Sequence, residues 1–404
     1  MKDCVKIIFT SALILALMLG CRDFPDESVS DTGSSFVGLE EVAEILAMIP
    51  IDRNQMDEVH QAVVSSSSNG YDEEYTMRNL FESPGSGVGD SRTRVRTDYP
   101  EPMRDLIEDY VYSSYFTKSS GQMAPDDFIN ALMESDIQIY WPFSENWDGE
   151  TMPVVTFDPE DGSDINIGYR LKIGDDGFRQ VEEVVVDEEM AGQTPVWVVN
   201  RNSDADNATI EMLRREDPQW GTGGGNIIVR PREAVGTKSD DVCKALVMRD
   251  FRMNRNFDSW FAGASEFFVK IGYLEDFTAM TEAEMRLYEP MVTDFMIVVK
   301  RGQVGVPQNF NAVLMTGWHE GEDKNENRCA FMITEDDGGT LTEWSTKAKV
   351  FVEGKSYGFE INIPLNTRDD IVWRGSLDYA WFDKLDGKPA SFGDVQLTFE
   401  VMEL

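Results

Sequence analysis

Histidine is nearly absent from this chain. Its 404 residues include only two, His60 and His319. They form no His-Glu-x-x-His pair, which excludes the common helical zinc-peptidase site. Basic residues are also scarce, with 36 lysines and arginines against 74 aspartates and glutamates and a formal net charge of −38. A body this acidic has no surplus of cations to displace counterions from phosphates, so nucleic acid is excluded as a partner. It also gains nothing electrostatically from an anionic bilayer surface. No Gly-x-Ser-x-Gly elbow occurs. The glycine run Gly221-Thr222-Gly223-Gly224-Gly225 lacks the Gly-Lys-Ser/Thr ending of a phosphate loop and leads into the strand-like Ile227-Ile228-Val229. Phosphate cradles open instead into a helix N-terminus.

What the chain does have begins at its first residues. Lys2 and Lys6 precede a mostly apolar run from Ile7 to Gly20, the pattern of a secretory signal. At ~1.5 Å per residue the run is short for a ~30 Å hydrocarbon core, so cleavage is expected rather than a membrane span. The run ends Leu17-Met18-Leu19-Gly20-Cys21, which resembles a bacterial lipobox, with Met18 where leucine is usual. That resemblance implies a diacylglycerol on the Cys21 thiol and cleavage just before it. Acyl chains contribute ~0.8 kcal/mol per buried methylene, and several together anchor stably. Arg22-Asp23-Phe24-Pro25-Asp26-Glu27 is similar to the surface-export signal of Bacteroidota lipoproteins. The expected location is therefore the outer membrane, with the body lipid-anchored and facing the cell surface.

The rest reads as an α+β chain. After the signal (1–20) and a polar tether (21–36), residues 37–135 carry helical periodicity, as in Leu39, Val42, Ala43, Leu46 and Ile49. Asp52 with Gln55 has the spacing of a capping box, and Tyr71–Phe81 suggests a short further helix. From 136 to 232 the period changes to two, with Ile137, Ile139 and Trp141, and later Val196-Trp197-Val198-Val199, forming a β-rich segment. From 233 to 404 roughly nine short strands follow, and the last alternates cleanly through Val395, Leu397, Phe399 and Val401. Asp336-Asp337-Gly338-Gly339 is a hairpin-turn signal. The architecture expected for this third part is an antiparallel β-sandwich, similar to C2-type or immunoglobulin-like sandwiches. The mature chain also resembles uncharacterised Bacteroidota outer-membrane lipoproteins, through Glu58–Val63, Ser68–Tyr75 and Phe257–Phe268; that resemblance carries no activity.

Candidate sites follow from residue type. Cys4 leaves with the signal and Cys21 takes lipid, so Cys243 and Cys329 remain. In an oxidising compartment they are a candidate disulfide, worth on the order of 4 kcal/mol, against the alternative of two buried thiols. Asp158, Glu160, Asp161 and Asp164 share one loop with Gly162 and offer oxygen ligands that suit calcium, without EF-hand spacing. Asp336-Asp337 and Asp369-Asp370 are further acidic loop pairs. Trp141 and Trp147 are candidate aromatic platforms for a glycan, and His319, beside Glu320 and Glu322, is a candidate base or ligand.

The expected function is a binding or interaction module at the cell surface for a glycan or protein partner. The alternatives are an extracellular hydrolase of unfamiliar type and a structural component of envelope assembly. Replacing Cys21→Ala is expected to abolish acylation and move the protein from the membrane to the soluble fraction, as read by metabolic palmitate labelling and fractionation. Retention of label on the variant would contradict the lipobox reading.

Overall fold

The computed structural model describes residues 37–82, 99–113, 123–173, 179–202, 207–212, 243–274, 277, 279, 281–319, 327–337 and 340–403. The protein is rich in strand, and its sheets are largely antiparallel, in an arrangement compatible with a β-sandwich.

The first layer is helical: α1 (Leu39–Met48), α2 (Arg53–Ser68), α3 (Met77–Phe81), α4 (Met103–Ser113) and α5 (Pro125–Met133). Asp52 caps α2 in a reciprocal box. Its side chain accepts from the Asn54 N–H at 2.6 Å, and its own N–H donates to Gln55 Oε1 at 2.8 Å. The stretch Tyr71–Phe81 is not one helix, because Glu74–Thr76 leaves it as strand β1 before α3 begins.

These helices cover one face of a six-stranded sheet. Its further strands are β2 (Ile137–Tyr140), β3 (Val154–Phe157), β4 (Ile165–Ile173), β5 (Arg179–Asp187) and β6 (Val196–Arg201), ordered β1-β2-β6-β3-β4-β5. All pairs are antiparallel except β3 with β6. Strand alternation divides the side chains between two cores. Ile139, Val155, Trp197 and Val199 pack with the helices, while Tyr140, Val154, Val196 and Val198 face the opposite way.

The opposite face is closed by Trp260 and Phe261, which arrive from the β-sandwich. Their rings are buried and stack with centroids 3.9 Å apart. Trp260 Nε1 donates to the Asp164 carbonyl at 2.9 Å, and Asn200 Nδ2 donates to the carbonyls of Phe261 and Ala262 at 2.9 and 2.8 Å. The Ala264 N–H then donates to Asp72 Oδ2 at 2.8 Å. Gly263 (φ 117°) is required at this crossing, since a Cβ there would lie 2.8 Å from Asp72 Oδ2. Nearby, Lys300 Nζ donates to Glu73 Oε1 at 2.7 Å and to Ser67 Oγ at 2.6 Å. Burial, and next the neighbouring Asp72, push the Glu73 carboxyl up to about 7.

The sandwich contains two sheets. One is ordered β10-β7-β16-β15, from β7 (Cys243–Met253), β10 (Gln308–His319), β15 (Pro389–Phe392) and β16 (Val395–Glu403). The other centres on β8 (Ser265–Leu274), β9 (Pro290–Val299), β11 (Arg328–Glu335) and β14 (Asp370–Asp378). Between them lie Leu246, Phe251, Phe267, Ile271, Phe331 and Phe399. The hairpin β12 (Leu341–Val352) and β13 (Lys355–Asn366) turns through Glu353 and Gly354, both at positive φ (52° and 72°). It packs through Ile361 and Ile363 onto the far face of the second sheet, against Ala330 and Met332. A Cβ on Gly272 would meet Ile361 Cγ2 at 2.5 Å, so only glycine lets the hairpin lie this close. Asp336-Asp337 does not open a hairpin, as β11 and β12 share a single pair, Arg328 with Lys349; Gly338 and Gly339 lie outside the described residues.

No bridge joins Cys243 to Cys329. The Cys329 thiol is free and buried between the sheets, 3.5 Å from the Leu377 carbonyl, and burial pushes it up to about 12. Cys243 opens β7 in the other sheet, with its side chain outside the described residues.

Trp260→Ala should remove the largest buried side chain between the first sheet and the sandwich. A loss of about 3–5 kcal/mol is expected, measured by urea unfolding. A change under about 1 kcal/mol would mean the two parts are held without it.

Candidate functional site

Where the first sheet meets the sandwich there is an open cleft of about 730 Å³. Its first wall carries Asp136 ahead of β2, Arg201 at the end of β6, and Asp158 and Glu160 after β3. Arg201 is committed within that wall, with Nη1 2.7 Å from Asp136 Oδ1 and Nε 2.9 Å from Glu160 Oε1. The second wall is the end of the sandwich. There Lys270, only 4% exposed, donates to the Pro364 carbonyl at 2.7 Å and lies 3.7 Å from Asp294. Arg201 and Lys270 are thus occupied, and the acidic side chains of the cleft outnumber the basic ones.

At the sandwich end three loops converge. Asp258 lies between β7 and β8, Glu335 closes β11, Asp337 follows it, and Asp369 and Asp370 join β13 to β14. Oxygens of Asp258, Glu335 and Asp337 all lie within 4.8 Å of one another. The backbone fixes them there. Glu335 is paired with Phe267 on β8 and Asp370 on β14, and Asp336 donates its N–H to the Glu266 carbonyl at 2.8 Å. Asn366 Nδ2 holds Asp336 Oδ1 at 3.1 Å, and Arg301 Nη1 donates to the Asp258 carbonyl at 2.9 Å.

The electrostatics are those of carboxylates crowded away from water. Glu335 is 1% exposed. Burial first, then its hydrogen bond and the charges around it, push its carboxyl up to about 12. Glu335 therefore holds a proton far more tightly than a free carboxyl does, and it shares a hydrogen bond with Asp258. Burial raises Asp258 as well, although that hydrogen bond pulls it back. Asp337 is pushed up to about 6 by burial and by the charges of Asp258, Asp370, Asp336 and Asp369. Asp369 is also raised to about 6, by burial first. Among the described residues no lysine or arginine pairs with Glu335 or Asp337, and Glu335 Oε1 has no hydrogen-bond partner. All the donors are hard oxygens, as calcium prefers.

The acidic loop that the sequence offers for calcium is arranged differently. Asp158 and Glu160 do line the cleft, and burial with the charges of Glu160, Asp258 and Asp161 raises Asp158. The four acids do not converge, however. Glu160 is taken by Arg201, and Asp161 Oδ1 accepts from the Ser163 N–H at 2.9 Å within its own loop. Asp164 is exposed and meets Trp260 only through its backbone. Among the described residues the one group of three close carboxylates is Asp258, Glu335 and Asp337.

Trp141 and Trp147 are neighbours, with centroids 5.5 Å apart and edges tilted toward His60. Trp141 is 1% exposed and packs on Trp197, and Trp147 is half-buried with Nε1 donating to the Thr151 carbonyl at 3.0 Å. The crevice beside them is small, about 60 Å³ against about 730 Å³ for the cleft. His319 closes β10 opposite Cys243; its side chain lies outside the described residues. Asp258 and Glu335 carried no signal of their own in the sequence. The available hint was that two acidic pairs, Asp336-Asp337 and Asp369-Asp370, end adjacent strands.

No family model, no curated protein and no solved structure matches the chain.

Asp337 and Asp369 set a pH dependence. Their folded values, about 6, exceed the ~3.9 of an unfolded aspartate, so the folded state binds more protons. The resulting stability is complete below about pH 4 and lost as pH rises through about 6. In chelator the melting temperature should fall between pH 5 and 7.5, and Asp337→Asn should flatten part of that slope and raise the melting temperature at pH 7.5. A variant that melts earlier at pH 7.5 would contradict the assignment.

Proposed function

We propose that this chain is a lipid-anchored outer-membrane protein of the Bacteroidota lipoprotein kind, whose body binds a partner in the acidic cleft. The Cys21 lipobox, and the acidic residues after it, support the location. Among the described residues no helix is long and apolar enough to cross a membrane. The sandwich is read as C2- or immunoglobulin-like, a reading supported by two stacked antiparallel sheets with acidic loops at one end. That architecture by itself does not carry function.

The observation behind the binding role is the cleft itself. It is concave, some 730 Å³ in volume, and its only described cations are Arg201, Lys270 and Arg368 against eight acidic residues. A field of one sign in a cleft steers the opposite charge into it. Of the two partner classes expected, a protein fits better than a glycan, through a segment rich in lysine or arginine. Stacking surfaces for sugar are lacking at Trp141, and the cleft's apolar contacts are Phe268, Leu341 and Leu365. Such binding should weaken with salt.

A second reading, a carboxylate hydrolase, has one observation behind it, the closely paired carboxyls of Glu335 and Asp258. The two are hydrogen-bonded to each other, closer than the ~5 Å or more of a glycosidase pair.

The test is fluorescence anisotropy of an arginine- and lysine-rich peptide on the full chain in detergent. Binding that falls as salt is raised from 50 to 300 mM, and weakens about tenfold in Glu266→Lys on the cleft wall, is expected. An acidic peptide bound equally well would overturn the reading.

A further inference from the structure

We propose that Asp258, Glu335 and Asp337 form a site for one hard divalent cation, with calcium favoured by the chemistry of the donors. The proposal concerns an ion at the sandwich end of the cleft. It does not depend on the cationic segment proposed above, whose test reads Glu266 on the cleft wall.

Geometry comes first. The three carboxylates offer oxygens within 4.8 Å of one another. This is the widest separation two oxygens can have when both touch one ion at about 2.4 Å. They come from two places in the chain, the Asp258 loop and the end of β11, and are held by strand pairing and backbone bonds, so an ion would meet ligands already gathered. The set is graded from inside outward. Glu335 is buried, Asp258 is half-buried and Asp337 is exposed, which leaves an open side for water and an entry path.

A second observation, separate from the clustering, points the same way. Glu335 is 99% buried, yet its Oε1 has no hydrogen-bond partner. A carboxyl oxygen left without a partner in the interior is costly, and native interiors rarely leave one. An ion on that oxygen removes the cost. It also supplies the positive charge that none of the described lysines or arginines gives to Glu335 or Asp337. The donors are all carboxylate oxygen, with no imidazole or thiolate among them, which disfavours zinc and copper. Magnesium needs near-ideal octahedral geometry at about 2.0–2.1 Å and gives up water reluctantly, whereas calcium accepts several carboxylates in flexible geometry, so a site of three protein carboxylates suits calcium better.

Binding would also have a mechanical effect. Asp258 lies two residues before Trp260, the ring that seats the sandwich on the first sheet. An ion shared by Asp258 and the β11 end would tie that segment to the sandwich core.

The test uses the full-length lipidated chain in detergent, stripped of metal with chelating resin and titrated with CaCl2 and separately with MgCl2 by calorimetry at one pH. About one calcium per chain is expected, in the 10⁻⁵–10⁻³ M range of exposed oxygen sites, with a higher melting temperature in calcium and weaker binding of magnesium. Glu335→Gln, which keeps the shape, and Asp337→Asn should each weaken calcium at least about tenfold. Asp161→Asn, in the other acidic loop, should bind as the parent does. The absence of saturable calcium binding up to ~1 mM in the parent would overturn the site, and so would unchanged affinity in both variants. If Glu335→Gln does not fold, Asp337→Asn decides, because its side chain is exposed and its loss leaves the packing intact; unchanged affinity there overturns the proposal.

Discussion

Trp260 and Phe261 are inserted under a sheet to which they do not belong. The sheet's upper face is closed by helices of its own stretch of chain, and its lower face is apolar because strand alternation makes it so. Without the inserted rings, Tyr140, Val154, Val196 and Val198 would face water. The insertion is held at each step by a polar contact: the Asp164 carbonyl, the Asn200 amide and the Asp72 carboxylate. Gly263 provides the one backbone position where the chain can pass Asp72. The position of Asp258 follows from this arrangement, and with it the shape of the cleft.

The same arrangement explains how so much negative charge is tolerated. Over most of the surface, carboxylates are solvated and repel only weakly through water. At the sandwich end they are forced together by strand pairing, where burial makes repulsion expensive. The molecule meets this by holding protons more tightly on Glu335, Asp337 and Asp369 than free carboxyls do. A cation would do the same work with a stronger charge. The Glu73–Lys300 contact shows the other solution, a carboxylate raised by burial but held by an ammonium from the opposite part.

Local pattern was legible in the sequence wherever local physics decides. Val395, Leu397 and Phe399 alternate in the strand as their spacing predicts, and all three are buried. Asp52 and Gln55 form the box their separation implies. The aromatic cluster was visible as a group of residues, but not its burial, because the helices that cover Trp141 are brought in by tertiary packing. Glu74–Thr76 was missed as strand because three residues give no period, and their pairing partner Gln138–Tyr140 lies over sixty positions on. The carboxylate cluster was hidden for the same reason. Asp258 and Glu335 are far apart in sequence and neighbours only because β8 lies beside β11. In a chain with 74 acids, adjacency in sequence says little about adjacency in space.

The order of strands within the sheets bears on how the chain folds. In the first sheet β6 lies in the middle, between β2 and β3, although it is the last of the six in sequence. In the sandwich the first strand, β7, pairs along its length with the final one, Val395–Glu403. Neither sheet can close while its central partner is still to come, and pairings this distant in sequence are slow to form. The first sheet waits for Arg201, and the sandwich stays open until nearly all of the chain has been made. The strand that locks the sandwich shut is thus the one delivered last.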